Sequence, residues 1–265
     1  MGRFSPNMTI MNRAVDAAAK SLLRDFGEVE QLQVSMKGPG DFVTAADKRA
    51  EKILQAELTK ARPDYSFLME ESGTVEGSDK DRRWIIDPLD GTRNFMHGFP
   101  QWSISLALEE FGEITHAVVY DPLKDEKFYA EKGNGAFVNS KRIRVSGRKD
   151  LGMSMIGLGH PGRYGKSIDP YERAFRKINA YGAQQRRVAS AALDLCYVAM
   201  GRYEGFYEHD LGPWDMAAGY LIVIEAGGIM TNLDGSKFSL DEKTVLAGNT
   251  DIHPHLSRLI NTDEV

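Results

Sequence analysis

The first 62 residues carry apolar side chains at the spacing of helices. In the leading segment these side chains recur three or four positions apart, at Met8, Met11, Val15, Ala18 and Leu22. Ser5 and Pro6 precede this run as an N-cap and a first-turn proline, so the pattern predicts a helix from there to about residue 28. A second helix is predicted from Thr44 to about residue 62, because Pro63 disfavours helical backbone before it. The glycine- and proline-containing segment 37–40 between them is predicted to be a loop.

After residue 63 the period becomes that of β-strands. Six short runs of apolar or alternating residues predict strands at residues 66–69, 83–86, 103–108, 113–120, 127–130 and 136–139. The last two strands are joined by the turn sequence Gly133-Asn134-Gly135. Because the strands follow one another without intervening helices, the pattern favours a largely antiparallel sheet over repeated β-α-β units.

The second half of the chain mixes both periods. Strands are predicted at residues 153–156, 205–208, 229–232 and 244–247, and helices at residues 170–181, 190–200 and 215–226, with a short helix at the C-terminus. This order predicts an α+β fold in which helices and sheets pack in alternating layers. We expect residues 1–265 to form a single domain. Its N-terminal helices and large sheet should extend to about residue 148, and a C-terminal α/β part should begin at about residue 149.

Composition and charge exclude several functional classes. Acidic residues outnumber basic ones 38 to 33, giving a net charge of −5, which argues against a nonspecific nucleic-acid-binding surface. Cys196 is the only cysteine, so we expect no disulfide framework, no cysteine-based metal site and a reducing, cytoplasmic compartment. No stretch approaches the roughly 20 apolar residues of a membrane span, and the N-terminus lacks the apolar core of a signal peptide.

Two segments resemble phosphate-binding motifs but lack features that those motifs require. Residues 157–162 read GxGxxG after a predicted strand, but no amphipathic helix follows, so a glycine-rich surface loop is the better interpretation. The segment Gly165-Lys166-Ser167 resembles the end of a Walker A loop, yet His160 stands where that motif requires glycine. The six histidines form no HExxH pair, which disfavours a zinc site.

A candidate metal site begins where an apolar run, residues 84–86, stops at two aspartates three positions apart. Pro88 favours extended backbone at Asp87, and the turn that follows lets Asp87 and Asp90 converge on one point beside the Leu89 carbonyl. Oxygen-only ligands in this arrangement suit Mg²⁺, which pairs a few carboxylates with substrate phosphate. The alternative is a strand-ending turn with two solvated acids.

The two residues after Asp90 form a candidate phosphate site. Gly91 allows close backbone approach, and the N–H groups of Gly91 and Thr92, at the start of a short helix, could hold a phosphate oxygen.

Other acids add to this candidate site, each with an alternative interpretation. Glu70-Glu71 follows a predicted strand, and carboxylates at strand ends commonly gather at one edge of a sheet. Asp215 opens an apolar helix, where an acid also stabilises the helix dipole. Asp47 completes a capping-box pattern with Thr44, so capping and catalysis remain equally open for it.

The stretch WIIDPLDGTRNFMHGFP, with EE upstream and WDMAAGYLIVIEAGG downstream, resembles the two characteristic motifs of the inositol monophosphatase family. The segments KGPGDFVTAAD and RRVASAALDLCYVAMGRYEGFYE extend the likeness, so it spans most of the chain in the right order and is closest to the bacterial inositol-1-monophosphatase-like members. The resemblance implies a layered αβαβα sandwich of the sugar-phosphatase (inositol monophosphatase and fructose-1,6-bisphosphatase) type and a homodimer. It also implies Mg²⁺-dependent, Li⁺-sensitive hydrolysis of inositol monophosphate or a similar small polyol phosphate.

Position by position, the resemblance implies a site for two or three Mg²⁺ ions whose ligands are Glu70, Asp87, the Leu89 carbonyl, Asp90 and Asp215. Asp47 and Thr92 are implied to orient and deprotonate a metal-bound water for in-line attack, and Glu70 stands with them among the implied catalytic residues. The implied substrate-binding residues are Leu89, Asp90, Gly91, Thr92, Arg186, Ser190, Ala191, Glu208 and Asp215. Lys37 is implied to lie on a mobile loop near the metals. Ala189 departs from the glycine usual in the family, and its methyl group could crowd the substrate wall.

Several alternatives stay open beside this hypothesis. The same chemistry could act on histidinol phosphate, 3′-phosphoadenosine phosphate, fructose 1,6-bisphosphate or NADP, although the short segment between Glu71 and Trp84 leaves little room for a nucleotide-recognition insertion. From another class, the chain could be a regulatory binding partner of a nucleic-acid-processing complex, using Arg186, Arg187 and Arg202. The net charge by itself argues against direct nucleic-acid binding.

Overall fold

The computed structural model describes residues 4–28, 34–38, 41–159 and 169–262, with side chains described for residues 4–28, 44–159 and 171–262. The two N-terminal helices, α1 (Pro6–Phe26) and α2 (Ala45–Ala61), confirm the predicted ones. The Ser5 hydroxyl caps α1 by accepting the Met8 N–H at 3.2 Å. Between the helices, β1 (Val34–Gly38) and β2 (Asp41–Thr44) form an antiparallel hairpin, so the prediction of a loop over residues 37–40 was too wide. Lys37 lies in β1, and its side chain is outside the described part.

The large sheet contains eight of the described strands. These are β3 (Tyr65–Met69), β4 (Gly73–Val75), β5 (Asp79–Asp90), β6 (Ser103–Glu110), β7 (Glu113–Asp121), β8 (Glu126–Glu131), β9 (Ala136–Val138) and β10 (Lys141–Ile143). Their order across the sheet is β10-β9-β8-β7-β6-β5-β3-β4. β3 and β5 run parallel and the other neighbouring pairs antiparallel, which confirms a largely antiparallel sheet. The three-residue strands β4 and β10 had no clear pattern in the sequence.

The second half of the chain supplies a smaller, mixed sheet and most of the remaining helices. The strands β11 (Met155–Leu158), β12 (Gln184–Arg186), β13 (Gly205–His209), β14 (Ile229–Thr231) and β15 (Thr244–Gly248) lie in the order β12-β11-β13-β15-β14. The helices are α3 (Thr92–Met96), α4 (Asp169–Ala180), α5 (Ala191–Ala199), α6 (Pro213–Glu225) and α7 (Ile252–Asn261). The helices predicted at residues 170–181, 190–200 and 215–226 are therefore confirmed within two residues at each end.

The strand predicted at residues 153–156 begins two residues late. Leu151–Met153 instead forms a turn of 3₁₀ helix, because the Asp150 side chain accepts the Gly152 N–H at 2.9 Å and its carbonyl accepts the Met153 N–H. This side-chain cap competes with strand pairing at that point.

Buried side chains join these elements into five layers. One apolar cluster lies between α1, α2 and the large sheet, a second between that sheet and α5 and α6, and a third between the small sheet and α4 and α7. Strand β5 shows why the large sheet is covered on both faces: Trp84 and Ile86 belong to the first cluster and Ile85 to the second. The layered α+β architecture is therefore confirmed.

None of the helices in the described ranges is both long and apolar enough to span a bilayer.

Candidate active site

The candidate site begins at a bulge at the C-terminal end of β5. In its pairing with β6, Asp87 lies opposite Ser105 and Asp90 opposite Ser103, so three steps along β5 match two along β6. Side chains three apart on a regular strand point to opposite faces, and one extra residue brings them to the same side. Pro88, which has no N–H to give to the ladder, lies within this bulge. The Asp87 carboxylate accepts the Leu89 N–H at 2.9 Å and closes the turn.

Asp215 reaches the same point from the first turn of α6. Its carboxylate accepts the Gly212 N–H at 2.6 Å, which caps the helix. The Ser105 hydroxyl donates to the Trp214 carbonyl at 3.0 Å and ties this turn to β6. Asp87, Asp90 and Asp215 each offer a carboxylate oxygen, and these oxygens lie within 4.8 Å of one another. The structure therefore brings together three of the predicted metal ligands.

Glu70 and Leu89 lie beside this three-aspartate cluster. Glu70 follows β3, and its backbone N–H donates to the Ile86 carbonyl at 3.1 Å, which fixes the end of β3 against β5. Its side chain is close enough to interact electrostatically with both Asp87 and Asp215, although it is not within the tight group of oxygens. The Leu89 carbonyl lies 3.1 Å from the Thr92 hydroxyl.

Burial, reinforced by mutual repulsion among the acids, sets the electrostatics of the cluster. Burial, followed by the charges of Glu70, Asp90 and Asp215, raises the pKa of Asp87 well above its usual range. Burial, followed by Asp90 and Glu70, does the same to the pKa of Asp215. A divalent cation would relieve this repulsion, and a set of oxygen donors alone suits Mg²⁺. The residues present therefore fit the ion that the resemblance implies.

Asp90 differs from its neighbours because it receives hydrogen bonds from α5. The Ser190 hydroxyl donates to one Asp90 oxygen at 2.6 Å, and the Ala192 N–H donates to the same oxygen at 2.9 Å. Burial raises the pKa of Asp90, and these hydrogen bonds oppose the rise. The sequence prediction had placed Ser190 and Ala191 on the substrate wall, whereas Ser190 also orients a predicted metal ligand.

Asp47 both caps α2 and contacts Thr92, so its two candidate roles are compatible. One carboxylate oxygen accepts the Thr44 N–H at 2.9 Å and the Thr44 hydroxyl. The other accepts the Thr92 hydroxyl at 2.9 Å. Burial raises the pKa of Asp47, while the hydrogen bonds from Thr44 and Thr92 lower it.

Gly91 occupies a position that no larger residue could fill. Its φ is +93°, and a Cβ there would lie 2.9 Å from the Gln101 carbonyl oxygen and 3.3 Å from the Ala189 carbonyl oxygen. Asn94 in α3 holds the same surroundings, because its amide donates to the Gln101 and Val188 carbonyls at 2.7 Å each. Asn94 was not among the site residues predicted from the sequence. It lies in the stretch WIIDPLDGTRNFMHGFP, but its side chain has no charge to draw attention to it.

Of the residues predicted to face the substrate alcohol, Glu208 interacts with the aspartates of the cluster, whereas Arg186 lies at the surface. Glu208, at the end of β13, packs so closely on Gly159 that a Cβ at that glycine would lie 1.7 Å from its carboxyl carbon. Burial, then Asp215 and Asp90, raises the pKa of Glu208 well above its usual range, and Arg187 opposes the rise. Arg186 is exposed, and its guanidinium donates to the adjacent Gln185 carbonyl at 3.0 Å. Arg187 was not among the predicted site residues, yet its charge acts on Glu208.

Ala189 has a left-handed backbone, with φ at +58°. The family usually has glycine at this position, and glycine adopts this backbone conformation more readily than alanine does. The residue is exposed.

The glycines of the GxGxxG segment serve packing as far as they are described. A Cβ at Gly157 would lie 2.8 Å from the Tyr203 ring, and Gly159 makes room for Glu208. Residues 160–162 of the motif, and the Walker-like segment at residues 165–167, lie outside the described residues.

Comparison with known proteins agrees with this geometry. The model described as the inositol monophosphatase family matches residues 6–263. An inositol-1-monophosphatase of Mesorhizobium japonicum is 48% identical over 257 residues, covering 96% of this chain and 95% of that protein. A Nus factor SuhB of Pseudomonas aeruginosa is 42% identical over 263 residues, covering 95% and 97%. The crystal structure of the extragenic suppressor protein suhB from Bartonella henselae superposes with a TM-score of 0.95 at 47% identity, covering 98% of this chain and 100% of that one.

Proposed function

Because the chain belongs to the inositol monophosphatase family, we propose that it is a Mg²⁺-dependent phosphatase of inositol monophosphate or a similar small polyol phosphate. Support comes above all from the three aspartates whose oxygens lie within 4.8 Å of one another beside the Asp47–Thr92 hydrogen bond. We propose three further properties of this activity. The substrate carries a polyol alcohol, the bound ion is Mg²⁺, and Li⁺ inhibits the reaction.

Glu70, Asp87, the Leu89 carbonyl, Asp90 and Asp215 would hold two to three Mg²⁺ ions. Bound there, the ions would supply positive charge that acidifies the attacking water, binds phosphate oxygens and stabilises the leaving alkoxide. Ser190 and Ala192 both donate to the same oxygen of Asp90, so its other oxygen accepts neither of these two hydrogen bonds.

Asp47 and Thr92 would remove the proton from the attacking water. The Thr92 hydroxyl donates to Asp47, so its lone pairs are available to accept a proton from water. Asp47 then takes the Thr92 proton, and its raised pKa makes it a stronger base than an ordinary aspartate. The two Thr44 hydrogen bonds hold the Asp47 carboxylate in the orientation that this transfer requires.

The phosphate and alcohol parts of the substrate would contact different elements. Gly91 and Thr92, at the start of α3, would hold the phosphate through their N–H groups. Ser190, Ala191 and Glu208 would face the alcohol, where the Glu208 carboxylate can accept hydrogen bonds from hydroxyl groups. Arg186 would contribute only from the exposed rim.

A substrate panel tests this proposal directly. The measurement is kcat/KM for inositol 1-phosphate, histidinol phosphate, 3′-phosphoadenosine phosphate, fructose 1,6-bisphosphate and NADP, each with Mg²⁺ and with added Li⁺. We expect the highest value for the inositol phosphate and inhibition by Li⁺. A higher value for a nucleotide would overturn the substrate assignment, and turnover unaffected by chelators would overturn the metal assignment.

A second function is supported by the names of several relatives. Proteins named Nus factor SuhB from Pseudomonas aeruginosa and Escherichia coli are 42% and 40% identical to this chain. We therefore propose, as a second candidate, a regulatory role as a binding partner in a nucleic-acid-processing complex. These names favour the alternative of a nucleic-acid-related partner over the expectation, drawn from the net charge, that nucleic acid is not bound. Of the arginines suggested for that role, Arg202 is already engaged with Glu126 and Tyr197.

Affinity purification of the tagged chain from its native lysate, with and without nuclease, tests the second function. A stoichiometric protein partner would support it, and recovery of the chain alone would contradict it. Light scattering of the same preparation tests the proposed homodimer, for which we expect about twice the mass of one 29.5 kDa chain.

A further inference from the structure

The segment 97–102, between α3 and β6, forms one side of the candidate phosphate turn. The Gln101 carbonyl accepts the Asn94 amide N–H at 2.7 Å. The same carbonyl oxygen lies 2.9 Å from the point where a Cβ of Gly91 would be. The position of Gln101 therefore sets the space around Gly91.

Lys124, in the turn between β7 and β8, holds this segment from outside the site. Its ammonium group donates to the Asp121 carboxylate at 2.5 Å, to the Pro100 carbonyl at 3.1 Å and to the Gln101 side-chain carbonyl at 3.1 Å. A lysine ammonium has three N–H groups, so these acceptors use all of them.

Asp121 makes the arrangement rigid. Its side chain is completely buried, and its second carboxylate oxygen accepts the Leu123 and Lys124 N–H groups at 3.0 and 3.1 Å. Lys124 is therefore fixed at its backbone and at its ammonium group by the same carboxylate.

Gln101 connects Lys124 to the helix that orients Asp90. The Gln101 side chain is buried, and its amide donates to the Tyr197 hydroxyl at 3.3 Å. Tyr197 belongs to α5, whose first turn donates the Ala192 N–H to Asp90. A continuous set of contacts thus runs from Lys124 through Gln101 to both the phosphate turn and α5.

We propose that Lys124 is a positioning residue for phosphate binding, holding Gln101 so that the Gly91 turn keeps the geometry that a phosphate group requires. This rests on the proposed phosphatase function of the same site. Lys124 donates directly to segment 97–102, whereas it reaches Asp90 only through Gln101, Tyr197 and α5, so its effect should be larger on phosphate than on metal.

Two substitutions interrupt the connection at different points, Lys124→Met and Gln101→Leu, and Lys132→Met is the matched control. Lys132 pairs with Glu113 at 2.5 Å on the surface and has no contact with segment 97–102 among its described hydrogen bonds. For each variant we would measure KM for the monoester, Ki for inorganic phosphate, the Mg²⁺ concentration for half-maximal activity and amide hydrogen exchange over residues 91–102.

We expect Lys124→Met and Gln101→Leu to raise KM and the phosphate Ki about tenfold, the usual effect of losing one hydrogen bond to a charged group. Amide exchange over residues 91–102 should accelerate in both, and the Mg²⁺ concentration for half-maximal activity should change less than the phosphate Ki. Lys124→Arg should recover part of the loss, and Lys132→Met should behave as the wild type. Wild-type phosphate affinity in both Lys124→Met and Gln101→Leu would overturn the proposal.

The double variant Asp121→Asn/Lys124→Met separates positioning from stability, because it also removes the buried charge that Lys124→Met leaves unpaired. Recovery of thermal stability with phosphate affinity still weak supports positioning, whereas recovery of both would overturn it. If the wild type hydrolyses no phosphate monoester, the proposed function fails. The exchange rates over residues 91–102 would still decide whether Lys124 holds this segment.

Discussion

At the residue scale, the aspartates at the end of β5 have unequal surroundings. Asp87 faces the charges of Glu70, Asp90 and Asp215, whereas Asp90 is also oriented by Ser190 and Ala192. Of these two aspartates, Asp90 accepts more hydrogen bonds, and they come from an element outside the sheet.

Replacing Asp90 with asparagine should remove metal binding and turnover while leaving the fold intact. The amide keeps the shape of the side chain but carries no charge, so we expect Mg²⁺ affinity to fall at least about 100-fold and kcat about 10²–10³-fold. Isothermal titration with Mg²⁺ and steady-state kinetics measure both effects. Asp234→Asn, in a surface turn where Asp234 accepts the Ser236 N–H, is the control. Wild-type kcat in Asp90→Asn would show that the site is assigned wrongly.

Ala189 offers a test of backbone conformation at the same scale. Its φ of +58° favours glycine, so Ala189→Gly should raise the free energy of unfolding by up to about 1 kcal/mol. Urea unfolding measures the change. Ala56→Gly, at an exposed position inside α2, should instead lower stability by about 1 kcal/mol. A destabilised Ala189→Gly would mean that the methyl group makes a contact worth more than the relief of the backbone.

At the element scale, one face of α2 holds two of the segments that surround the three-aspartate cluster. Asp47 and Glu51 lie four residues apart, so they project from the same side of the helix. Asp47 holds Thr92, and the buried Glu51 accepts the Glu71 N–H at 2.9 Å and the Ser72 hydroxyl. A single helix therefore fixes both α3 and the turn that follows Glu70.

Glu51→Leu should loosen the turn that carries Glu70. The substitution leaves the Glu71 N–H without its acceptor in a partly buried place, so we expect a loss of about 2–3 kcal/mol in the free energy of unfolding and weaker Mg²⁺ binding. Thermal unfolding and metal titration give the two quantities. Glu57→Leu, which breaks the surface ion pair of the same helix with Arg13, should cost less than about 1 kcal/mol. Equal losses for both variants would refute a special role for Glu51.

At the scale of the whole molecule, the site is where the layers meet. β5 and β6 of the large sheet, the first turns of α5 and α6, and β13 of the small sheet all contribute to it. Like charges buried at this junction make the metal-free fold sensitive to pH. The pKa values of Asp87, Asp215 and Glu208 are all raised well above their usual range, chiefly by burial.

A raised carboxyl pKa in the folded state contributes stability at low pH that is lost as pH rises through the folded value. With chelator present, these three groups should therefore lower the free energy of unfolding as pH increases above about 4, the ordinary pKa of carboxyl groups. Added Mg²⁺ should reverse the loss, and more strongly at pH 8 than at pH 5, because binding requires the charged carboxylates. Urea unfolding at both pH values, with EDTA or Mg²⁺, measures this, and Asp90→Asn should lose most of the Mg²⁺ effect. A Mg²⁺ effect that is equal at the two pH values would contradict the assignment.

Much of the fold followed from local pattern. Period and capping located α1, α2, α5 and α6 within two residues, because apolar spacing and caps act within one element. The three-residue strands β4, β10 and β12 were missed, since their pairing depends on a neighbouring strand rather than on their own side chains. The division at about residue 148 stays a prediction.

The sequence by itself determined which chemistry was available: two acids at the end of β5, others at the starts of helices, and a glycine where the chain turns. The tertiary structure decided which of them meet. The β5 bulge turns Asp87 and Asp90 to one side, α6 brings Asp215 to them, and α2 brings Asp47 to Thr92. It also placed the charge of Arg187 near Glu208, where it opposes the rise in the Glu208 pKa. These contacts join residues far apart in the chain, and they form only when apolar burial fixes the layers against one another.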